Sequence, residues 1–141
     1  MTYFLDANVP MYANGRESEF KVPCADLLTA VAERRIEAVT NVEVIQEVVY
    51  IYYRRGDLHL GLTIAGEFTD VLQTVLPVEA VECMTMLDLL LAHQSIEPRD
   101  ALHYAVMLRH GISHIITADT HFDSLPGITR IDPRDASTIV G

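Results

Sequence analysis

The sequence predicts an α/β sandwich, a central parallel β-sheet flanked by α-helices. Two observations predict it. Short apolar runs alternate with longer helical segments along the whole chain. Those runs are apolar on both faces, as strands of a sheet covered on both sides must be.

The elements follow in order. Residues 2–5 (TYFL) form a short buried strand. A helical stretch runs from about Pro23 to Arg35, with Ala25, Leu28, Val31 and Ala32 on one apolar face. Ile36 to Thr40 reads as a second strand. Thr40-Asn41-Val42-Glu43 is a capping-box pattern that opens a helix running to about Arg55, where Gly56 ends it. Asp57 to Gln73 continues helically, although Gly61 and Gly66 weaken that segment. Thr74 to Val78 is a short strand and Ala80 to Gln94 a helix. A further helix begins at Pro98, a favoured first-turn residue, and closes at Gly111. Ser113–Thr117 is a strand, Leu125-Pro126-Gly127 a turn, and Ile128–Ile131 a last short strand.

No repeat, low-complexity tract or linker divides the chain, so residues 1–141 read as a single domain. A chain of this length buries roughly 68% of its unfolded surface and needs no disulfide or metal staple. Half of its residues are apolar, yet the longest unbroken apolar runs are only a few residues, far short of the ~20 of a membrane span. The first residues lack the pattern of a secretion signal. Cys24 and Cys83 each sit in an apolar helical pattern, which reads as two reduced, buried thiols in a cytoplasmic protein. Twenty acids stand against ten bases, giving a net charge of −10. That balance argues against broad adhesion to nucleic acid and permits a local acidic, metal-binding site.

In an open parallel sheet, ligands bind beyond the carboxyl ends of the strands. Asp6 directly follows TYFL, and Asp119 follows the strand at Ser113–Thr117 by two residues. The helix from Pro98 reaches that strand through Gly111 and Ile112 only. Helix and strand must therefore run antiparallel, which brings Asp100, in the first helical turn, to the same edge. The helix opening near Asn41 also starts there, with Glu43 and Glu47 one turn apart. Asp123 lies one short turn beyond Asp119.

One sheet edge thus collects Asp6, Glu43, Glu47, Asp100, Asp119 and Asp123. Carboxylates about 4 Å apart repel by roughly 4 kcal/mol per pair at an effective dielectric near 20. A protein holds such a set by protonating some members or by binding a cation. Oxygen ligands favour Mg²⁺ or Mn²⁺, which suit phosphodiester hydrolysis. Each acid also has a local explanation. Asp100 suits the helix dipole, Asp6 an Asx turn, and Asp119 and Asp123 a turn around His121. Glu43 is better explained as the capping-box acid than as a ligand. Glu47 lies too deep in its helix for capping; among Val44, Val48 and Ile51 it either borders the buried face or serves the site, and the site reading is preferred.

FLDANVPMY, VIQEVVYIYYRR and EPRDALHYAVMLRHGISHIITADTHFD resemble the PIN-domain family, and within it the VapC-type toxins of toxin–antitoxin pairs. The likeness in order and spacing covers essentially the whole chain. The segment running from Asp100 through the strand into T-A-D-x-x-F-D is its most specific piece. The resemblance implies a PIN-like α/β/α sandwich and a metal-dependent endoribonuclease. It places the catalytic acids on Asp6, Glu47, Asp100 and Asp119, with Asp6, Asp100 and Asp119 as ligands of Mg²⁺ or Mn²⁺. Asp123 becomes an auxiliary acid, and Asn8 and Thr117 supporting polar residues. It further implies an RNA substrate, a homodimer and a small antitoxin docked over the site.

A toxin of this kind must attract RNA, yet the chain has a single lysine, Lys21; Arg16, Arg54, Arg55 and Arg99 are the candidates for a basic rim. Tyr50, Tyr52 and Tyr53 suit a helix–helix or dimer contact better than base stacking. The six histidines show no zinc spacing, and His103 and His110 read as packing or surface residues. The alternative function is a non-catalytic PIN-like interaction module whose acidic edge docks a basic partner. A phosphoacceptor domain would need an acidic pair at the first strand and a lysine near the last, and neither is present.

Overall fold

The computed structural model describes residues 1–140. Five strands form one sheet: β1 (Thr2–Leu5), β2 (Glu37–Asn41), β3 (Thr74–Leu76), β4 (His114–Ile116) and β5 (Thr129–Ile131). Their order is β3-β2-β1-β4-β5, and every neighbouring pair is parallel. Seven helices cover the sheet among the described residues: α1 (Asn8–Ala13), α2 (Lys21–Ala32), α3 (Val42–Arg54), α4 (Leu58–Val71), α5 (Ala80–Ala92), α6 (Pro98–Arg109) and α7 (Ser137–Val140). Helices α1, α2 and α4 pack together, and α7 joins α2, whereas α5 and α6 pack on each other. Right-handed crossovers put α1–α4 on one face and α5–α6 on the other, because the chain reverses direction across the sheet between β3 and β4. That reversal makes the gap between β1 and β4 the switch point of the sheet, where its carboxyl edge opens a crevice. The α/β sandwich stands as the sequence predicts.

Several boundaries and faces differ from the sequence reading. Helix α1 was absent from it: six residues with Pro10 inside offer no period to detect, and the segment after Asp6 turns helical instead of making an Asx turn. Helix α2 buries Cys24, Leu27, Ala30 and Val31 rather than the face of Ala25, Leu28 and Ala32. Both faces of KVPCADLLTAVA are apolar, so periodicity could not choose between them. The cap of α3 is Asn41, whose side chain accepts from the Val44 N–H at 2.9 Å. Thr40 instead donates its hydroxyl to the Leu5 carbonyl at 2.8 Å, tying β2 to β1. The reciprocal capping box lies at α5, where the Glu79 N–H donates to Glu82 at 3.0 Å.

Two glycines act where the sequence needs them. Gly111 closes α6 at a φ of +67°, the left-handed conformation that allows so short a link into β4. Gly61 lets α4 approach α3, since a Cβ there would stand 2.7 Å from that of Tyr52. Tyr52 is therefore the helix–helix contact expected of the tyrosine group, while Tyr50 and Tyr53 stay exposed. Cys24 is buried, and burial pushes its thiol up to about 12. Cys83 is exposed, contrary to its apolar surroundings in sequence, because most of the outer face of α5 is itself apolar: Val81, Met84, Leu87 and Leu91 are exposed with it. Among the described residues no helix is long and apolar enough to cross a membrane.

Candidate functional site

The register fixes the centre of the site. Leu5 pairs with Ile116 across β1 and β4, and the Asp6 N–H donates to the Ile116 carbonyl at 3.2 Å. Asp6 and Thr117 consequently leave adjacent strands side by side. The Thr117 hydroxyl donates to Asp6 Oδ2 at 2.7 Å and accepts from Asn8 Nδ2 at 2.9 Å and from the Asp119 N–H at 3.0 Å. A hydroxyl has one proton and two lone pairs, so Thr117 is fully used. Asn8 is anchored in turn, its Oδ1 accepting from the Ala118 N–H at 3.2 Å. Asp6 Oδ1 accepts from the Ala7 N–H at 2.8 Å. Thr117 and Asn8 thus orient the carboxylates rather than compete with them.

Four acids from four elements meet around this scaffold. Carboxylate oxygens of Asp6 and Glu47 lie with a ring nitrogen of His103, all within 4.8 Å of one another. Asp100 and Asp119 form a second such group with His121. Burial raises the Asp6 carboxyl above its ordinary value, with His103 and Thr117 acting against the rise and Glu47 adding to it. Asp100 is pushed up to about 8, first by burial and then by the charges of Asp6 and Asp119. This corner gathers more negative charge than its own partners neutralise.

Arg99, in the first turn of α6, brings a guanidinium to the Glu47 side of the site. Its Nε is 3.3 Å from Glu43 and 3.4 Å from Glu47. Glu43 is therefore an ion-pair partner of Arg99 and not the capping-box acid the sequence suggested. Asp123 joins neither group: it accepts from Arg130 Nε at 2.7 Å, half-exposed.

His103 is a packing residue, fully buried against Phe4, but the sequence did not disclose that it also lies behind Glu47. Its tautomer follows from the hydrogen bonds. Because Asn41 Oδ1 accepts from Val44, the Asn41 amide NH₂ faces His103 Nδ1 at 3.0 Å and donates to it. The neutral ring then carries its proton on Nε2. Nε2 has no hydrogen-bond partner among the described residues and lies 3.9 Å from Glu47 Oε1. His103 is an N–H donor aimed at the carboxylates, which leaves the ligands of this group all oxygen. The available signal was spacing, since His103 stands three residues after Asp100 on the same helix face. His121 stands beside Asp119, as its place in the turn suggests, with Nδ1 3.1 Å from Asp119 Oδ1.

The donor set fits a hard divalent cation: carboxylates dominate it, two of them are raised by burial and by the charge of neighbouring acids, and no thiol is near.

Comparison with known proteins identifies the family. The family model for the PIN domain matches residues 3–128. The ribonuclease VapC13 of Mycobacterium tuberculosis is 34% identical over 127 residues, covering 90% of this chain and 97% of the relative. Ribonuclease VapC7 of the same organism is 33% identical over 140 residues, covering 96% and 94%. Among solved structures, VapBC2 from Rickettsia felis bound to a promoter DNA fragment aligns with a TM-score of 0.71 at 16% identity, over 93% of this chain and 98% of that one. Mycobacterium tuberculosis VapC20, described as a sarcin–ricin-loop-cleaving toxin, aligns at 0.70 and 19% identity, over 86% and 93%. A carboxylate corner on a five-stranded parallel sheet, matched by model and by relatives over nearly its full length, establishes that the chain belongs to the PIN-domain family, among its VapC-type members.

Proposed function

We propose that the protein is a metal-dependent endoribonuclease, the toxin of a type II toxin–antitoxin pair, acting in the cytoplasm as a homodimer and restrained by a small antitoxin. The observation that carries this reading is the convergence of Asp6, Glu47, Asp100 and Asp119 on one corner of the sheet, with Asp100 raised by burial and by the charges of Asp6 and Asp119. The names of the relatives support the RNA substrate, and the VapBC assemblies among the structural neighbours support the antitoxin.

Asp6, Asp100 and Asp119 are the ligands proposed for Mg²⁺ or Mn²⁺, with Glu47 completing the catalytic set. Bound there, the cation supplies charge neutralisation at the reacting phosphate and lowers the pKa of the attacking water. The chain's own residues do the rest. Thr117 and Asn8 hold Asp6 in one orientation, and the Asp119 backbone is pinned by Thr117. Glu47 is held by Arg99 and faced by the His103 N–H, which fixes the carboxylate where it would accept a proton from the water. Asp123, tied to Arg130, lies at the rim and serves as an auxiliary acid through that pair.

The test is cleavage of a labelled, structured RNA carrying a sarcin–ricin-type loop, with Mn²⁺, with Mg²⁺ and with chelator, by the wild type and by Asp119→Asn. Cleavage that requires metal and drops at least about a hundredfold in the variant supports the reading. Absence of cleavage under every condition, with metal also failing to raise the melting temperature, returns the chain to a non-catalytic interaction module.

A further inference from the structure

An acidic chain that acts on RNA must place its few cations well. Of the ten, Lys21, Arg35, Arg99, Arg109, Arg130 and Arg134 each hold a carboxylate. Arg16, Arg34, Arg54 and Arg55 make no ion pair among the described residues. Two of these four, Arg16 and Arg55, line one groove of about 750 Å³. Arg16 lies in the loop between α1 and α2, and Arg55 at the end of α3.

Asn8 lines the same groove, and Asn8 is hydrogen-bonded to Asp6 and Thr117. The groove therefore opens onto the carboxylate corner. No acid lines it, although the chain has twenty, and the smaller groove between α1, α2 and α4 has Glu67 in its wall. The remaining polar groups of the larger groove, including Ser18 and Asn14, are neutral. The Arg55 guanidinium lies over the ring of Tyr52, 5.3 Å from its centroid. Tyr52 is itself wedged against Gly61, so Arg55 stacks on a fixed platform with its N–H edge free.

We propose that this groove is the path of a single RNA strand leading to the carboxylate corner, with Arg16 and Arg55 holding phosphates beside the one that is cut. The proposal rests on the ribonuclease reading and extends it to the substrate path. Guanidiniums match phosphate geometry, and the groove's contacts would be independent of sequence. Continuity with the cleavage site favours RNA over an acidic protein segment as the occupant. The arrangement also answers how a chain of net charge −10 holds a polyanion: the charge balance of one groove differs from that of the whole.

The test measures binding of a labelled, unstructured single-stranded RNA across a salt series, with metal chelated so that nothing is cut. In the Arg16→Ala/Arg55→Ala double variant, affinity at low salt falls on the order of tenfold, and the salt slope drops by about 1.4, as the loss of two single-strand phosphate contacts requires. Arg54→Ala, which removes a free cation outside the groove, changes neither. A double lysine variant recovers most of the slope. The proposal is overturned if the double alanine variant binds and cuts RNA as well as an active wild type, or if Arg54→Ala loses as much. An acidic peptide that binds the wild type more tightly than RNA, and is lost in the double variant, overturns it in favour of a protein occupant. Failure of the wild type to cut RNA with metal instead removes the ribonuclease reading beneath it.

Discussion

Two buried acids, Glu82 and Asp100, sit in the first turns of consecutive helices and have opposite surroundings. Glu82, 1% exposed, receives the Glu79 N–H at 3.0 Å and Arg109 Nη1 at 3.1 Å. Although burial opposes it, backbone N–H donors and Arg109 hold its carboxyl below the usual value. Asp100, 8% exposed, has other carboxylates for neighbours and is pushed up to about 8. The first acid is completed by the chain itself. The second is left incomplete, at the edge where a parallel sheet binds its ligands. The contrast separates a carboxylate that serves the fold from one kept for something the fold does not contain.

That comparison can be broken most directly at Arg109. Arg109→Ala would take from the buried Glu82 its guanidinium partner, leaving it the backbone N–H donors alone, and is expected to destabilise the protein. Urea unfolding measures it, and the paired variant Glu82→Gln should recover part of the loss in the Arg109→Ala background.

The pH dependence sharpens the other side. Asp100 has a folded pKa raised from 3.8 to about 8, so between these values the native state holds a proton that the unfolded chain has released. Metal-free stability therefore falls as pH rises from about 4 to about 8 through this group. Asp100→Asn should flatten that slope and make the metal-free protein more stable at pH 8, by about 1–2 kcal/mol in urea unfolding. A wild type whose metal-free stability rises over the same range would contradict the assignment.

Gly61→Ala gives a smaller effect that tests packing without touching the acids. Its methyl group would meet Tyr52 at 2.7 Å between Cβ atoms, and an overpacked contact of this kind costs about 1–2 kcal/mol. Because Tyr52 carries Arg55, the variant should also weaken RNA binding modestly while leaving metal affinity unchanged. Equal loss of both would argue for a general disturbance of the fold.

The two acids also mark how much the sequence discloses. Chain geometry alone places Asp100: the four residues between α6 and β4 leave the helix only one direction. Asp6 and Asp119 followed from strand ends in the same way. Nothing comparable locates Arg99 against Glu47, or His103 against Asn41, contacts spanning 52 and 62 residues and set by packing across two layers. The capping box at α3 was misread for a local reason, since Thr40 and Asn41 both make good caps and only the strand register decides between them. Helix α1 escaped because a single helical turn and a half carries no period. Arg16 and Arg55 were candidates among four arginines, and only the loop geometry selects them.

The central claim is that the carboxylate corner is a cation site, and a Mn²⁺ titration of the metal-free protein at pH 8, followed by melting temperature, tests it most directly. The account predicts a saturable rise in the wild type, equivalent to about 2.7 kcal/mol at a hundredfold excess over the dissociation constant, and no rise in Asp119→Asn. A wild type that Mn²⁺ leaves unchanged, or a variant that responds equally, would contradict it.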